Sequence, residues 1–481
     1  MENVSMEKII SLAKRRGFIY QGSEIYGGLA GTWDYGPHGV TLKNQIKDIW
    51  WKKFISSRDD MYGIDAAILM NPKVWIASGH VGGFNDPLVE DLKTKKRYRA
   101  DHLLEEAGVD VVGMSLQEMS IAIKEKGIKS PDKNDLGEVR QFNMMFKTDI
   151  GVSGGPDDIS YLRPETAQGM FVNYKNVMDS FHPKLPFGLG QIGKAFRNEI
   201  APRDFIFRNR EMEQMEVEYF VHPDTWKEHF ELWRKSVREF TQAIGLPDDM
   251  VHELEIPDGD RAHYSDRTID FEFDFPFGRK ELCGLAYRTD YDLRKHMEAS
   301  KVNLEYFDEA TKEKFIPHCI EPSLGVERMV LAVLSSAYTE DELGGETRSY
   351  LKLSPAIAPY QVAVFPLLKN RPELVLKARE VYDALRASGL RATFDDNGNV
   401  GKRYRRQDEI GTPFCVTIDF DTIGQGEAKA GQGEAKAEVE DKDGGKSEDG
   451  KNLINTVTIR NRDTGEQERV AIESIAKKII A

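Results

Sequence analysis

The stretch FRNEIAPRDFIFRNREMEQMEVEYF, residues 196–220, constrains this chain most. Two runs of extended character flank a segment broken by Pro202. In an extended run alternate side chains share a face. Arg197 and Glu199 then point one way. In the second run Met212, Gln214, Glu216 and Glu218 share one face, and Met215, Val217 and Tyr219 take the opposite, core-like face. Two antiparallel strands of this kind present an arginine, several carboxylates and an amide to one surface. Arg203, Arg208 and Arg210 lie in or near the connecting loop. A guanidinium fork suits phosphate or carboxylate oxygens, and a carboxylate accepts from an amine. Such a surface can hold a nucleotide beside an amino acid. A charged amphipathic hairpin with one solvated face shows the same pattern.

The order F-R-x-E, loop, R-x-x-x, then a carboxylate-rich strand resembles motif 2 of the class II aminoacyl-tRNA synthetases. RNEIAPR with EQMEVEYF is similar to the homodimeric glycyl branch of that family. Two further markers follow the family's order. In YLRPETAQGM (161–170) Pro164 pushes Arg163 toward an extended conformation and projects Glu165 from a turn; on its own the segment also reads as a capped helix start. In HCIEPSLGVERMVLAVLSSAY (318–338) Glu321 and Ser323 face one way across Pro322. Gly325 then leads into a helix with a buried face of Val326, Met329, Val330 and Val333. Arg328 in its first turn gains nothing from the helix dipole; a phosphate over the helix N-terminus supplies a reason for it. G-V-E-R before an apolar helix resembles motif 3.

The resemblance implies an ATP-dependent ligase that activates glycine as an adenylate and transfers it to the 3′ end of tRNA(Gly). It implies catalytic roles for Arg197 and Arg328. The implied ATP site is Arg197, Asn198, Glu199, Phe207, Arg208, Asn209, Arg210, Glu211, Met212, Glu281, Leu282, Gly325, Val326, Glu327 and Arg328. The implied glycine site is Arg99 (in an R-A-D-H-L motif), Glu165, Met212, Glu213, Gln214, Met215, Glu216, Glu321, Pro322, Ser323, Leu324 and Gly325. Glu281 is the candidate contact for a Mg²⁺ bound with ATP, and Arg288 a weaker candidate for the same site. The family places an aromatic residue where this chain has Met212, so a thioether must pack on the adenine. Phe207 is near, although strand alternation turns it to the other face. Carboxylates packed against Cα should reject alanine, where an apolar pocket separates glycine from alanine by only ~1–3 kcal/mol. Other readings are a catalytically silent relative that binds tRNA or protein, and a class II enzyme for another small amino acid.

Outside the markers, Pro37 sits where helices begin, and Leu42, Ile46, Ile49, Trp50 and Phe54 recur at helical spacing. MYGIDAAILMNP reads as a strand closed by Pro72. Helix then strand resembles motif 1, which implies a homodimer. An insertion is expected at about 73–160, with a helix over 115–126 and a polar loop over 127–138. His80 and His102 have no partner at ligand spacing and read as structural. Ile269, Phe271, Phe273 and Phe275 alternate with acids, the mark of a half-buried antiparallel strand. After a turn, Glu281 and Cys283 should share a face. From 351 onward strand and helix signals alternate, which implies a mainly parallel sheet and resembles the anticodon-binding domain of the family. There Lys402, Arg403, Arg405 and Arg406 surround Tyr404, a candidate tRNA surface or simply a solvated basic helix face.

The expected architecture is an α+β catalytic domain built on an antiparallel sheet, residues 1–350, followed by an α/β anticodon-binding-type domain, 351–481. A low-complexity insert at 421–452, with GQGEAKA twice in succession, is expected to be disordered. The net charge of −14 argues against indiscriminate nucleic-acid binding and calls for a local basic surface. Three scattered cysteines point to a reducing compartment, and a cytoplasmic location is expected. No stretch approaches the ~20 apolar residues of a membrane span. Some relatives carry a cysteine pair within the DLKTKK segment; Asp91 and Thr94 stand there, so no zinc site is expected.

Overall fold

The computed structural model describes residues 4–111, 113–151, 158–343, 345–425 and 453–480. Most of the acidic insert, with all but the start of the GQGEAKA repeat, lies outside the described residues, and so does the expectation of its disorder. The described residues form two compact units. One comprises Ile19–Asp34 with Ile46–Ala332, the other Met1–Phe18, Tyr35–Gln45 and Val333–Ala481.

The first unit is built on a seven-stranded sheet. Its strands are β1 (Met61–Gly63), β2 (Phe187–Phe196), β3 (Glu211–Val221), β4 (Val251–Glu255), β5 (Arg267–Phe275), β6 (Gly278–Thr289) and β7 (His318–Gly325). The spatial order is β4-β5-β6-β7-β3-β2-β1. All neighbours are antiparallel except β1 with β2. The 196–220 stretch therefore does form a hairpin, and β3 lies between β2 and β7.

Register decides which side chains meet. Glu216 stands opposite Ser323, and Tyr219 opposite Ile320. Met212, Gln214, Glu216 and Glu218 consequently share a face with Glu321 and Ser323. Toward the far end of that face Phe220, Phe187, Leu189 and Cys319 are covered by helix α1 (Ala167–Phe181) through Phe171 and Tyr174, and by Leu293 of the helix Tyr291–Ser300. On the other face Tyr219 packs against Trp233 of the helix Trp226–Ala243, with ring centroids 5.3 Å apart, and Phe54 reaches Trp233 and Phe240 of the same helix.

Two expectations fail locally. The strand expected over 61–72 stops at Gly63, and Pro72 opens the helix Pro72–Ala77 instead of closing a strand. Asn71 caps that helix by accepting from the Lys73 N–H at 3.0 Å, and proline at the first helical position loses no hydrogen bond. Between β5 and β6 the register slips: Phe271 pairs with Cys283 but Glu272 with Glu281, leaving Leu282 as the extra residue. A bulge shifts the alternation by one. Glu281 therefore does not share a face with Cys283; it lines a cavity with Gly284 and Ala286, while the Cys283 thiol is buried.

Within 73–160 the strands Asn85–Glu90, Arg97–Arg99 and Arg140–Asn143 form a small sheet with its own core, Val89, Leu104, Met119 and Ile123 among its members. The helix Leu116–Glu125 starts on a capping box of Ser115 and Glu118. Asp91 ties the loops together. Its carboxylate accepts from the N–H groups of Lys93 and Thr94, from the Ser130 hydroxyl and from the Asn134 amide.

The second unit holds a five-stranded sheet. Val362–Pro366 is central among three parallel strands, flanked by Ala392–Phe394 and Phe414–Ile418; Thr456–Asn461 and Gln467–Ala471 add antiparallel strands at one edge. Compactness does not follow the expected boundary at 350/351. The hairpin Tyr338–Leu343/Glu346–Leu351 belongs to this unit because buried Arg348 donates to Asp408 at 2.9 Å and to the carbonyl of Arg462 at 2.9 Å.

Candidate active site

Two adjoining cavities open on the first unit's sheet. One, of about 300 Å³, is lined by Arg99, Met144, Arg197, Glu199, Phe207, Arg208, Asn209, Met212, Glu281, Leu282, Glu327 and Arg328, among others. The second, of about 410 Å³, is lined by Glu165, Glu216, Tyr264, Asp270, Gly284, Ala286 and Glu321 among others. Arg197, Gln214, Glu281 and Ser323 line both. The first is cationic and the second carboxylate-rich, and Arg197 stands on their common wall.

Arg197 is aimed by its backbone neighbours. Its Nε donates to the Pro164 carbonyl at 3.0 Å, and its guanidinium lies 5.5 Å from the Phe84 ring centroid. Its terminal nitrogens have no hydrogen-bond partner among the described residues. Pro164 is itself held in place by Arg163, which is buried and donates to the carbonyls of Lys194 and Ala66. Gly193 makes room for that guanidinium, since a Cβ there would sit 2.2 Å from an Arg163 Nη.

In the cationic cavity Arg328 pairs with Glu281, 2.9 Å to Oε2, and donates to the Glu281 carbonyl at 3.1 Å. It lies over the Phe207 ring, 4.5 Å to the centroid. Phe207 thus faces the site, contrary to strand alternation. It belongs to the loop between β2 and β3, where alternation has no meaning, and it is wedged edge-on against Phe275 and Phe277. Burial lowers the Arg208 pKa, and the nearby charges of Arg99, Arg203 and Arg328 lower it further against the pull of Glu199. Like charges gathered around a buried cation make a site for a polyanion. The Arg328 charge holds the Glu281 carboxyl below its ordinary range.

The second cavity is a web of carboxylates. Arg288, buried on β6, donates from Nη1 to both oxygens of Glu321 at 2.9 and 3.0 Å, and from Nε and Nη2 to Asp292 at 2.7 and 2.9 Å. It is therefore committed to the carboxylates of this cavity and is not placed for Mg²⁺. The Gln168 amide donates to Glu165 at 3.1 Å and to Asp292 at 2.9 Å, and its oxygen faces His296 Nε2 at 2.8 Å. Since the amide N–H groups go to two carboxylates, the oxygen accepts from His296. Glu216 accepts from the Gln214 amide at 2.8 Å, from the Thr166 N–H at 3.1 Å, and from the hydroxyls of Thr166 and Ser323. Burial and the charge of Glu165 raise the Glu216 pKa. Burial also raises that of Glu321, against the pull of Arg288.

The structure brings most of the expected residues together and removes others. Asn198, Arg210, Glu211 and Val326 do not line the cationic cavity. Arg210 donates to the carbonyls of Glu199 and Ala30, Glu211 pairs with Lys194, and Val326 is core. Glu213, Met215, Pro322 and Leu324 line neither cavity. Glu213 pairs with Lys47 at 2.9 Å, and Met215 and Leu324 are buried on the opposite face. Contiguous runs on a strand always include such residues, because every second side chain leaves the site. Arg99 lines the cationic cavity rather than the carboxylate one and is tied to Asp86 and Asp101. Met212 and Gly325 also line only the cationic cavity.

Sequence reasoning missed His80, whose Nε2 lies 3.3 Å from Glu165 Oε2, and the loop that brings Tyr264 over Arg288, 3.7 Å to the ring centroid. Neither has a local signal; both depend on long-range contacts. In the second unit the proposed basic surface shrinks. Arg403 is buried and donates to the carbonyls of Pro366, Asp396 and Gly398. The Tyr404 hydroxyl meets Thr417, and Arg406 is spent on Asp395. Lys402 and Arg405 remain exposed, the latter paired with Glu346.

The model of the tRNA synthetase class II core domain (G, H, P, S and T) matches residues 150–337, and that of the anticodon binding domain residues 361–441. A glycine–tRNA ligase of Bacillus cereus is 48% identical over 479 residues, covering 98% of this chain and 97% of that protein. One from Caldanaerobacter subterraneus is 49% identical over 482 residues, with the same coverage. One from Macrococcus caseolyticus is 48% identical over 485 residues, covering 99% and 98%.

Proposed function

Because the chain belongs to the glycine–tRNA ligase family of the class II synthetases, we propose how its two cavities divide the family's reaction. The enzyme joins glycine to tRNA(Gly) at the expense of ATP. The cationic cavity takes the nucleotide and the carboxylate cavity the amino acid. The observation that carries this reading is Arg197 on the common wall with its terminal nitrogens unspent.

The first step is in-line attack. A carboxylate oxygen of glycine bonds to the α-phosphorus, the bond to the β-phosphate oxygen breaks, and pyrophosphate leaves. In the second step a hydroxyl of the tRNA's terminal adenosine attacks the carbonyl carbon and AMP leaves. Neither step needs a protein nucleophile, so positioning and charge stabilisation carry the catalysis. Arg197 bridges the α-phosphate and the attacking carboxylate. Glu199 accepts from the adenine amine. Arg208 and Arg328 hold the distal phosphates, and Met212 and Phe207 supply apolar walls. The ammonium group lies among Glu165, Glu216 and Glu321, with Ser323 beside them.

Glu281 fits a Mg²⁺ contact: it is ionised, half exposed and within the cationic cavity. Bound with ATP, the ion neutralises phosphate charge. Arg328 pairs with Oε2 alone, so the other carboxylate oxygen of Glu281 would be available to such an ion. A homodimer is the further reading from motif 1. Leu69 beyond β1 and Phe181, which packs on Tyr62, are 49% and 63% exposed. Among the described residues no helix is long and apolar enough to cross a membrane; a cytoplasmic location is proposed from the tRNA substrate. We also assign 1–350 to activation, with 73–160 as an insertion, and 351–481 to tRNA recognition through Lys402 and Arg405.

ATP–pyrophosphate exchange against the twenty amino acids, without tRNA, tests the division of cavities. Exchange with glycine alone is expected. Exchange with alanine at comparable efficiency overturns the carboxylate-pocket reading.

A further inference from the structure

Below the amino-acid cavity lies a carboxyl group that the reaction described above does not use. Glu218 is completely buried. By the register of β3 with β7 it stands directly across from Glu321, on the same face. Cβ atoms so placed are ~4.5–5.5 Å apart. Its Oε2 accepts from the Cys319 thiol at 2.9 Å. Its Oε1 is fully buried and meets no donor among the described residues.

An ionised carboxylate only accepts, and it has about four lone-pair sites to satisfy. One weak thiol donor leaves it far from satisfied, and a buried unpaired charge is costly. The neighbouring guanidinium gives Glu218 no hydrogen bond, since the Arg288 bonds all go to Glu321 and Asp292, and acts on it only through its charge. Two carboxylates facing each other across a ladder do not both ionise. One of the two carries the proton. Glu321 has the guanidinium and opens to the cavity; Glu218 has neither.

We propose that Glu218 is a buried neutral acid and a positioning residue of the amino-acid site: uncharged behind Glu321, it lets Arg288 hold Glu321 as the ionised carboxylate that receives the substrate's ammonium group. The proposal rests on the reading of Glu321 as an ammonium contact.

The surroundings agree from every side. Glu216 on its own strand and Glu321 opposite are carboxyl groups, and Leu189 on β2 is apolar. From α1 come uncharged Gln168, Phe171 and Tyr174. Asp292 shares the charge of Arg288 with Glu321, and burial pushes the pKa of the nearby His296 down. Glu165 and Tyr264 line the same cavity, and His80 lies beside Glu165. Burial first, then the charge of Glu321, raises the Glu218 pKa well above the carboxylate range, while Arg288 and the Cys319 thiol pull the other way.

The test is glycine-dependent ATP–pyrophosphate exchange by the full-length protein over a pH series, with infrared spectroscopy of the same samples. Glu218→Leu is expected to raise the glycine KM at least ~10-fold, with the ATP KM within about twofold. Glu218→Gln, which keeps shape and carries no charge, is expected to restore the glycine KM to within about threefold and to leave the acid limb of kcat/KM in place. The wild-type minus Glu218→Gln infrared difference at neutral pH should contain a protonated-carboxyl C=O band. Its absence, or an acid limb displaced downward by about one unit or more in Glu218→Gln, overturns the proposal, because either means a charged Glu218. Glu321→Gln is run alongside. A glycine KM indifferent to Glu321→Gln overturns the ammonium contact itself, whatever the Glu218 band shows.

Discussion

Arg288 grips Glu321 through both carboxylate oxygens while its other edge grips Asp292, so one guanidinium fixes two acids under the amino-acid cavity. Removing one partner of a buried charged cluster strands the others and costs ~3–5 kcal/mol. Arg288→Met is expected to lower stability by about that amount, read from urea unfolding. Arg288→Lys should rescue little, since a point ammonium cannot span two bidentate partners. Full stability of Arg288→Lys would show that the fork geometry is dispensable.

Protons compete with glycine for this cavity. Burial raises the pKa of Glu216 and Glu321 in the free enzyme, and a bound ammonium group lowers it again. Protonation removes acceptors, so binding weakens as pH falls. The acid limb of kcat/KM, which reports the free enzyme, is therefore expected at higher pH than the limb of kcat. Coincident limbs would mean that these carboxylates do not contact the ammonium group.

Arg328 and Glu281 hold each other where ATP phosphates are placed. Arg328→Ala is expected to cut kcat/KM for ATP by about 10²–10³, as for loss of one strong charge-stabilising donor. Glu281→Gln should raise the Mg²⁺ concentration needed for half-maximal exchange. An unchanged Mg²⁺ requirement removes Glu281 from the metal.

Met212 and Phe207 divide the apolar work of the nucleotide cavity. Met212→Ala should raise the ATP KM more than the glycine KM. Phe207→Ala should do so too and also loosen Arg328, which lies on that ring, lowering kcat. The opposite ordering for Met212 would take it out of the adenine site.

In the second unit Arg403→Ala is expected to destabilise the domain, since it deprives the buried Pro366 carbonyl of its donor, at ~1–3 kcal/mol for a buried group left unsatisfied, and also releases the part-buried carbonyls of Asp396 and Gly398. Lys402→Ala with Arg405→Ala should raise the tRNA KM severalfold and leave pyrophosphate exchange without tRNA intact. Loss of exchange in that pair would show that the face serves folding, not tRNA.

What the sequence by itself determined were the features carried by local rules. Alternation along 211–221 assigned Glu216 and Glu218 to one face and Val217 and Tyr219 to the other, because extended backbone allows nothing else. The helix after Gly325, the helix over 115–126 and the parallel strands after 351 were likewise legible from local pattern. Tertiary structure decided what depends on register and on loops. The bulge at Leu282 turned Glu281 into the site against simple alternation. The loop between β2 and β3 delivered Phe207 to Arg328, and long-range packing set His80 beside Glu165 and buried Arg403. None of these has a sequence period to betray it. The pairing of Glu218 with Glu321 is of the same kind. Each residue is ordinary in its own strand, and only the register of β3 against β7 sets two acids face to face, where burial leaves too little solvent to screen two charges.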